Sequence, residues 1–262
     1  RDRHYKNKVT ALPDGQRYMD TEILGATVRT EIGRPANLFY GYKAQGVFST
    51  SAEAQAAGLY IHDDNGVDRT AFEAGDMHFA DLDGDHFITE ADRMVIGDPN
   101  PDIYGNIFTS VQYRRLRLDV RFNYSLGNDI YNYTRQQLES GSRFMNQTTA
   151  LARRWQMEGQ QTDIPRLSFQ DPMGNSRFSD RWIEDGSYLR LKTVTLSYDL
   201  PVSSTFLQGL QFWVQANNVV TLTRYLGSDP EGTALSAVLG QGIDAGSLPQ
   251  SRNFMVGIKI NL

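Results

Sequence analysis

Strict alternation of apolar and polar residues is the feature that most limits how this chain of 262 residues can fold. Residues 115–123 read Arg-Leu-Arg-Leu-Asp-Val-Arg-Phe-Asn, in which every second side chain is apolar. Because successive side chains of a strand point to opposite faces, this pattern predicts a strand with one apolar and one polar face. Segments 103–113, 188–200, 210–217 and 254–262 alternate in the same way. The sequence therefore predicts about five two-faced strands.

The connections between these strands alternate in length. They are short near residue 113 and at 201–209, and long at 127–186 and 223–252, with a further long stretch at 9–102. Short turns at one end and long loops at the other are typical of an outer-membrane barrel. A soluble antiparallel sheet with one solvated face gives the same alternation. Three features favour the barrel over the soluble sheet. They are the many charged and amide residues on the polar face, the position of all long connections on one side, and the apolar last residue.

Charge and composition exclude several classes of protein. Lys and Arg number 26 against 31 Asp and Glu, a formal charge of −5, which argues against a nucleic-acid partner because that needs a basic face. No apolar run approaches the roughly 18 residues of a transmembrane helix, although a strand barrel needs no such run. The chain has no Cys, which excludes disulfides and thiolate metal sites.

Residues 81–92 read Asp-Leu-Asp-Gly-Asp-His-Phe-Ile-Thr-Glu-Ala-Asp, the pattern of an EF-hand or dockerin calcium loop. Such loops supply oxygen ligands from positions 1, 3, 5, 7, 9 and 12. The ligands predicted by this alignment are Asp81, Asp83, Asp85, the carbonyl of Phe87, Thr89 and Asp92. His86 replaces the usual glycine of position 6, and Asp92 is shorter than the usual glutamate. The alternative is a solvated acidic turn, and a bound Ca²⁺ would in either case be structural.

Catalytic motifs are absent from the sequence, so we predict that the chain is not an enzyme. The 4 histidines form no His-x-x-x-His pair, and there is no Gly-x-Ser-x-Gly elbow. A hydrolase with paired carboxylates is a minor alternative for which the sequence names no residue. Four aromatic residues of the long connection are candidates for substrate or lid contact, although packing of the connection onto itself is the more common role: Tyr131, Tyr133, Trp155 and Trp182.

A further set of motifs is spread along nearly the whole chain. It includes Gly33-Arg34-Pro35, the acidic stretch 79–93, and Val95 to Asp102. Further along are residues 127–132, 162–166, 181–192, 196–201, 215–223, 229–231 and 249–252. In this order the motifs resemble the C-terminal part of a SusC/RagA-family TonB-dependent outer-membrane transporter of the Bacteroidetes type.

The resemblance implies a fold and a layout. The fold is all-β, and the chain supplies the last five strands, plus the end of a sixth, of a large antiparallel transmembrane barrel of about 22 strands. The plug and the TonB-contacting segment of the family are expected to be absent from this sequence. The implied layout is a strand end at 1–8, an extracellular loop at 9–102, a hairpin at 103–126, a loop at 127–186, a hairpin at 187–222, a loop at 223–252 and a terminal strand at 253–262.

The polar residues of these strands would then line the barrel lumen, or alternatively hold the plug by salt bridges. The lumen-facing candidates are Arg115, Arg117, Asp119, Arg121, Asn123, Gln211, Gln215 and Asn217.

The resemblance also implies the function. Family members lie in outer-membrane lipid and import glycan oligomers, and in some cases peptides, under a SusD-like surface lipoprotein that closes as a lid. TonB supplies the energy through the N-terminal part, and dimers of transporter–lid pairs are expected. The alternative from another class is a soluble calcium-stabilised β-domain that binds carbohydrate and buries the apolar strand faces in a sandwich.

Overall fold

The computed structural model of the chain describes residues 2–4, 6–62, 68–202, 206–233 and 238–261. Arg1 and Tyr5 of the predicted first strand end, and the terminal apolar residue Leu262, lie outside the described residues. So do residues 63–67, 203–205 and 234–237, which belong to three of the predicted segments.

The strands of the described residues are numbered in chain order. They are β1 (Asp2–His4), β2 (Tyr18–Ile23), β3 (Ala26–Glu31), β4 (Leu38–Tyr42), β5 (Ala44–Val47), β6 (Tyr60–His62), β7 (Arg69–Ala71), β8 (Met77–Phe79), β9 (Arg93–Gly97), β10 (Ile103–Tyr113), β11 (Leu116–Leu126), β12 (Asp129–Asn132), β13 (Ile183–Asp185), β14 (Tyr188–Leu200), β15 (Gly209–Thr223), β16 (Ile243–Asp244) and β17 (Asn253–Asn261). The helices are α1 (Ser51–Ala57) and α2 (Tyr133–Glu139), and short 3-10 turns span Pro13–Gly15, Glu90–Asp92, Thr149–Arg153, Asp180–Trp182 and Val238–Gly240. No helix in the described ranges is long and apolar enough to cross a membrane.

The long strands form one antiparallel sheet. Within the described part of the chain this sheet is six-stranded, in the order β1-β10-β11-β14-β15-β17. The five predicted strands are confirmed as β10, β11, β14, β15 and β17, and β1 is the end of the sixth. Tyr113 pairs with Leu116, so Arg114 and Arg115 close the first hairpin, with Arg114 in the left-handed region at φ 56°.

The register of this sheet gathers the apolar side chains on one face. Leu118 lies opposite Val111 on β10 and Leu196 on β14, and the same row continues to Val214 and Val256. Residues directly opposite each other share a face. Val111 is 58% exposed and Val256 is 75% exposed. The soluble sandwich of the alternative hypothesis would bury this face, so the structure contradicts that fold.

The three long connections fold together into what we call the head, at one end of the sheet. In the described ranges it contains a sheet β2-β3-β4-β9, a sheet β13-β12-β16 and the hairpins β5–β8 and β6–β7. β12, from the second connection, pairs in parallel with β16 from the third. The prediction of long loops therefore missed an ordered region, because its strands are mostly three to six residues long and carry too little alternation to be recognised.

Aromatic residues from different connections form the centre of the head. Phe39 comes from the first connection, Tyr131 and Phe178 from the second, and their ring centroids lie 4.8–6.5 Å apart in edge-to-face contacts. Trp182 and Ile243 complete this cluster, and both are 0% exposed. Because large aromatic side chains bury about 150–250 Å² each, this cluster stabilises the association of the three connections.

A second cluster packs under α1, whose ends are marked in the sequence. Thr50 accepts a hydrogen bond from the amide of Glu53, and the Glu53 carboxylate accepts from the Thr50 amide, which forms a capping box. Gly58 ends the helix in the left-handed conformation at φ 60°. The helix places Ala54 against Phe48, Phe72 and the other buried residues of this cluster.

Replacing Trp182 with alanine should destabilise the head by about 3–5 kcal/mol, because the cavity left in the aromatic cluster cannot close fully. Hydrogen exchange of head amides in the full-length protein would measure this loss. Phe144→Ala is the control, since Phe144 is 94% exposed and its removal should change stability by less than about 0.5 kcal/mol. Equal exchange in the two variants would contradict the role of the cluster.

Candidate functional site

The face opposite the apolar rows carries the predicted polar residues. Asp119 lies opposite Thr195, which in turn lies opposite Gln215. Seven of the eight candidates occupy strand positions on this face: Arg117, Asp119, Arg121, Asn123, Gln211, Gln215 and Asn217. Arg115 is the exception, because it lies in the hairpin turn and its carbonyl accepts a hydrogen bond from the Asp199 amide at 2.9 Å. Its assignment to the strand was wrong by one residue.

Amide side chains on the polar face are hydrogen-bonded across the strands. The Gln215 amide donates to Asn217 at 3.0 Å, and the Asn217 amide donates to Asn253 on β17 at 2.7 Å. Thr193 and Thr195 on β14 donate to Asn217 and Gln215 at 3.1 and 3.2 Å. The face is therefore a connected polar layer that spans three strands.

Arg190 connects this face to the head, and the sequence analysis did not single it out. Its side chain is 3% exposed, and its guanidinium contacts Asp229 at 2.5 Å and Glu231 at 2.6 Å. Nε of Arg190 also donates to Thr221 on β15 at 2.9 Å. This ion pair binds the third connection to β14, an inner strand of the sheet. The sequence feature that could have indicated this ion pair is a cation on the polar side of an alternating strand, together with the Asp-Pro-Glu motif at residues 229–231.

The carboxylate of Asp229 is held in its charged form. Burial by itself raises the pKa of Asp229, but hydrogen bonds from Arg190 and from the amides of Gln250 and Glu231 outweigh it, and the pKa lies below its usual range. Asp229 is therefore ionised at neutral pH and the ion pair with Arg190 is complete.

A cavity of about 600 Å³ lies between the polar face and the head. On the sheet side, Tyr104 lies opposite Ser125, which lies opposite Tyr188, so one row crosses three strands. The next row contains Asn106 opposite Asn123. From the head and from β1 the lining includes Asn100, Pro101, Gln241 and Arg3.

Two of the four aromatic candidates belong to the core of the head. Tyr131 and Trp182 are both 0% exposed, so their prediction as substrate or lid contacts was wrong. The Tyr131 hydroxyl donates to the Leu24 carbonyl at 3.1 Å, and burial raises the pKa of this hydroxyl. The Trp182 indole donates to the Arg177 carbonyl at 3.1 Å.

The other two aromatic candidates, Tyr133 and Trp155, are half-buried. Tyr133 makes an edge contact with Tyr131 at 6.1 Å between ring centroids. The Trp155 indole donates to the Ser49 carbonyl at 3.1 Å and lies so close to Gly75 that a β-carbon there would come within 2.4 Å of the ring. Both residues thus have a packing role, and part of each remains accessible.

The acidic loop brings together three of its six predicted ligands. Carboxylate oxygens of Asp81, Asp83 and Asp85 lie within 4.8 Å of one another, which is the metal-type cluster found among the described residues. His86 takes the left-handed conformation, at φ 68°, that glycine usually provides. Asp92 is 0% exposed and accepts from the amides of Leu82 and Thr89 at 2.7 and 2.8 Å, so it closes the loop.

The electrostatics of this loop suit a hard cation. The amide of Asp85 lowers the pKa of Asp83, but a small loss of solvation and the charges of Asp85, Asp92 and Asp81 raise it above its usual value. Carboxylates that repel one another in this way are stabilised by a divalent cation, and Ca²⁺ prefers oxygen ligands. The donor set that is present therefore fits calcium.

Known proteins of similar sequence identify the family. No family model matches the chain. TonB-dependent receptor P3 of Formosa agariphila is 32% identical over 268 residues, which cover 97% of this chain and 25% of that receptor. TonB-dependent receptor P26 of the same species is 28% identical, covering 97% of the chain and 26% of the receptor.

The chain belongs to the TonB-dependent receptors. It spans about a quarter of the length of these curated relatives. TonB-dependent receptors are outer-membrane proteins, so the chain is part of an outer-membrane protein.

Solved structures agree with the fold of a TonB-dependent receptor. The RagAB peptide transporter matches with a TM-score of 0.74 at 24% identity, covering 97% of this chain and 25% of the solved chain. The RagAB peptide importer in its closed-closed state matches with a TM-score of 0.69 at the same identity, over 97% of this chain and 26% of the solved one. The similar proteins are receptors and importers rather than enzymes.

Removing the guanidinium in Arg190→Met should release the third connection, because breaking a buried ion pair leaves unpaired charge and costs about 3–5 kcal/mol. Faster hydrogen exchange at residues 224–233 and 238–252 of the full-length receptor would show the release. The control is Lys192→Met, since the Lys192 side chain is 27% exposed and lies 3.3 Å from Glu231, and such partly exposed pairs contribute about 0–1 kcal/mol. Similar protection in both variants would rule out the anchoring role of Arg190.

Proposed function

We propose that this chain forms part of the wall and the outer head of a TonB-dependent transporter that imports oligomeric nutrients. The observation that carries the proposal is the two-faced sheet. Its apolar rows are open to the surroundings and suit lipid, while its amide-rich rows suit a polar lumen. The ladders pair the backbone groups of the inner strands β11, β14 and β15 on both sides, and the remaining strands of the receptor would pair the outer edges, as a membrane-spanning sheet requires.

The same proposal assigns sides and partners. The connections 9–102, 127–186 and 223–252 form the extracellular head, where a SusD-like lipoprotein closes as a lid. TonB acts through parts of the receptor other than this chain, and two transporter–lid pairs form a dimer. The RagAB structures are named as peptide importers, which supports import of oligomers. Glycans and peptides are both proposed substrates, and the chain has no proposed catalytic role.

Uptake by whole cells tests this function. Deletion of the gene for the full-length receptor should abolish growth on oligomeric nutrients and leave growth on the corresponding monomers intact. Complementation with the intact gene should restore growth, whereas a receptor that cannot engage TonB should not. Unchanged growth of the deletion strain on every glycan and peptide oligomer tested would contradict an import role.

We also propose that the acidic loop binds Ca²⁺ through Asp81, Asp83 and Asp85, with the Phe87 carbonyl and Thr89 as further ligands. Asp92 stays in contact with the loop amides. The ion would stabilise the head and take no part in transport chemistry.

The neighbouring residues Val256 and Met255 on β17 point to opposite faces and provide a matched test of the lipid face. Val256→Arg should cost about 2–4 kcal/mol if the apolar face lies in the bilayer. We therefore expect less folded receptor in the outer membrane, measured by heat-dependent gel mobility. Met255→Arg, on the face of Gln215, should assemble normally. Equal assembly of the two variants would contradict the proposed orientation.

Calcium removal should loosen the acidic loop. At a calcium concentration 100 times the dissociation constant, binding stabilises the folded head by about 2.7 kcal/mol. We expect EDTA to increase hydrogen exchange at residues 81–92, and expect Asp83→Asn combined with Asp85→Asn to show that increase without EDTA. Asp14→Asn, an exposed acid elsewhere in the head, is the control. Exchange that is insensitive to calcium in the unmodified receptor would reject the site.

A further inference from the structure

We infer that the first hairpin turn of the large sheet binds the phosphate of an anionic phospholipid headgroup through Arg114 and Tyr113. Arg114 and Arg115 form this turn between Tyr113 of β10 and Leu116 of β11. The inference rests on the proposed function, which puts the apolar face in lipid and the head outside the cell, and goes beyond it by naming a lipid site. The turn then faces the phospholipids of the periplasmic leaflet.

The length of the apolar face places this turn at the level of the lipid headgroups. From Leu116 to Leu126, β11 extends about 34 Å at about 3.4 Å per residue. A strand tilted by about 40° therefore rises about 26 Å along the membrane normal, close to the roughly 25 Å height of the apolar band of such barrels. The band thus ends at Leu116, and the residues of the turn lie among the headgroups.

An aromatic row marks the same boundary. The register aligns one row across five strands: Tyr113, Leu116, Tyr198, Phe212 and Ile258. Its three aromatic members, Tyr113, Tyr198 and Phe212, are 69%, 43% and 41% exposed. Tyrosine rings concentrate at membrane–water interfaces because one end of the ring is apolar and the other is polar. The row therefore indicates that the interface lies next to the turn.

The Arg114 side chain lies on the lipid side of the sheet. Its guanidinium carbon is 5.4 Å from the centroid of the Tyr113 ring, within the range of a cation–π contact, and Tyr113 belongs to the apolar face. The turn holds the backbone of Arg114 in the left-handed region at φ 56°, and the Gln112 side chain donates to the Arg114 carbonyl at 3.3 Å. The guanidinium and the phenol ring are therefore presented to lipid from the same side.

The turn carries positive charge that its surroundings leave unneutralised. Among the described residues, no carboxylate lies within ion-pair distance of Arg114 or Arg115. Asp199, whose amide donates to the Arg115 carbonyl, accepts through its carboxylate from Gln211 on the polar face at 2.8 Å.

The donors of the turn match a phosphodiester. A guanidinium presents its N–H groups as a fork that fits two phosphate oxygens, and a phenol hydroxyl donates one further bond. Two adjacent cations favour a headgroup with net negative charge, and they repel the ammonium group of a zwitterionic headgroup. Charge and donor geometry therefore favour an anionic phospholipid.

Titration of the full-length receptor in detergent micelles tests the inference, with native mass spectrometry giving the dissociation constant of the first bound lipid. The probes are dioleoylphosphatidylglycerol, dioleoylphosphatidylethanolamine and inorganic phosphate. We expect phosphatidylglycerol to bind about fivefold more tightly than phosphatidylethanolamine, and Arg114→Gln to weaken phosphatidylglycerol binding by about fivefold, which corresponds to about 1 kcal/mol for one cation near anionic lipid. Arg17→Gln, at an exposed arginine of the head, makes the same change in charge and should leave binding unchanged.

A second variant guards against a folding defect. Glycine adopts the left-handed region without strain, so Arg114→Gly keeps the turn and should weaken phosphatidylglycerol binding by the same factor. Equal affinity for the two phospholipids, equal losses in Arg114→Gln and Arg17→Gln, or full affinity in Arg114→Gly would overturn the site.

Inorganic phosphate separates the two sources of the anion. Binding of inorganic phosphate without lipid, lost in Arg114→Gly, would assign the turn to free phosphate and overturn the lipid assignment. The growth test of import and the comparison of Val256→Arg with Met255→Arg do not depend on these outcomes. Failure of the headgroup site is therefore distinguishable from failure of the proposed function.

Discussion

The register of the six-stranded sheet is the constraint on which the remaining structure depends. A slip of one residue would move every side chain of a strand to the other face and mix the apolar rows with the amide rows. The alternation resists such a slip because the inner strands have apolar partners on both sides, as Leu196 has in Leu118 and Val214. A register shift between Leu191 and Thr193 interrupts the ladder near the head. Such irregularities increase the local bend of a sheet.

Buried ion pairs hold the head in a defined position relative to this sheet. Arg190 joins β14 to Asp229 and Glu231, which lie about forty residues further along the chain. Within the head, Arg166 contacts the fully buried Asp76 through two hydrogen bonds of 2.9 Å, and Asn175 donates to the same carboxylate. Burying charge is costly unless each group is paired, so such networks add little net stability but penalise any other arrangement. They specify how distant segments meet.

Strand positions follow from the sequence where the alternating pattern is long and local. Each strand of the large sheet except β1 has at least nine residues, enough for alternation to be recognised, and its position followed from the residues alone. The head was missed because strands such as β8, with three residues, carry no periodic signal, and because β12 and β16 pair across more than a hundred residues. The capping box of α1, Thr50 with Glu53, is a local signal that the sequence does carry for the head. The family resemblance supplied the barrel context that the residues alone left open.

The candidate site residues show the same contrast between local patterns, which are predictable, and long-range contacts, which are not. Polar side chains such as Asp119 and Gln215 are predictable from the sequence, since a strand assigns each residue to a face. For Tyr131 and Trp182 the sequence left both packing and substrate contact open, because an aromatic residue in a connection can pack inward or point outward and its own identity does not decide between them. The structure places both in the core. The cavity beside Tyr104 and Tyr188 depends on four strands and two connections meeting, which no local pattern encodes.

The sequence by itself determined the two-faced strands, their order and the acidic loop, because side-chain alternation and ligand spacing are properties of neighbouring residues. Tertiary structure alone decided that the connections form a head, that Arg190 binds the third connection to the sheet, and that Tyr104 and Tyr188 share a cavity. The physical reason is the distance along the chain between the residues that interact. Burial and ion pairing depend on residues that become neighbours when the chain folds, whereas the pleat of a strand acts on residues that are neighbours already.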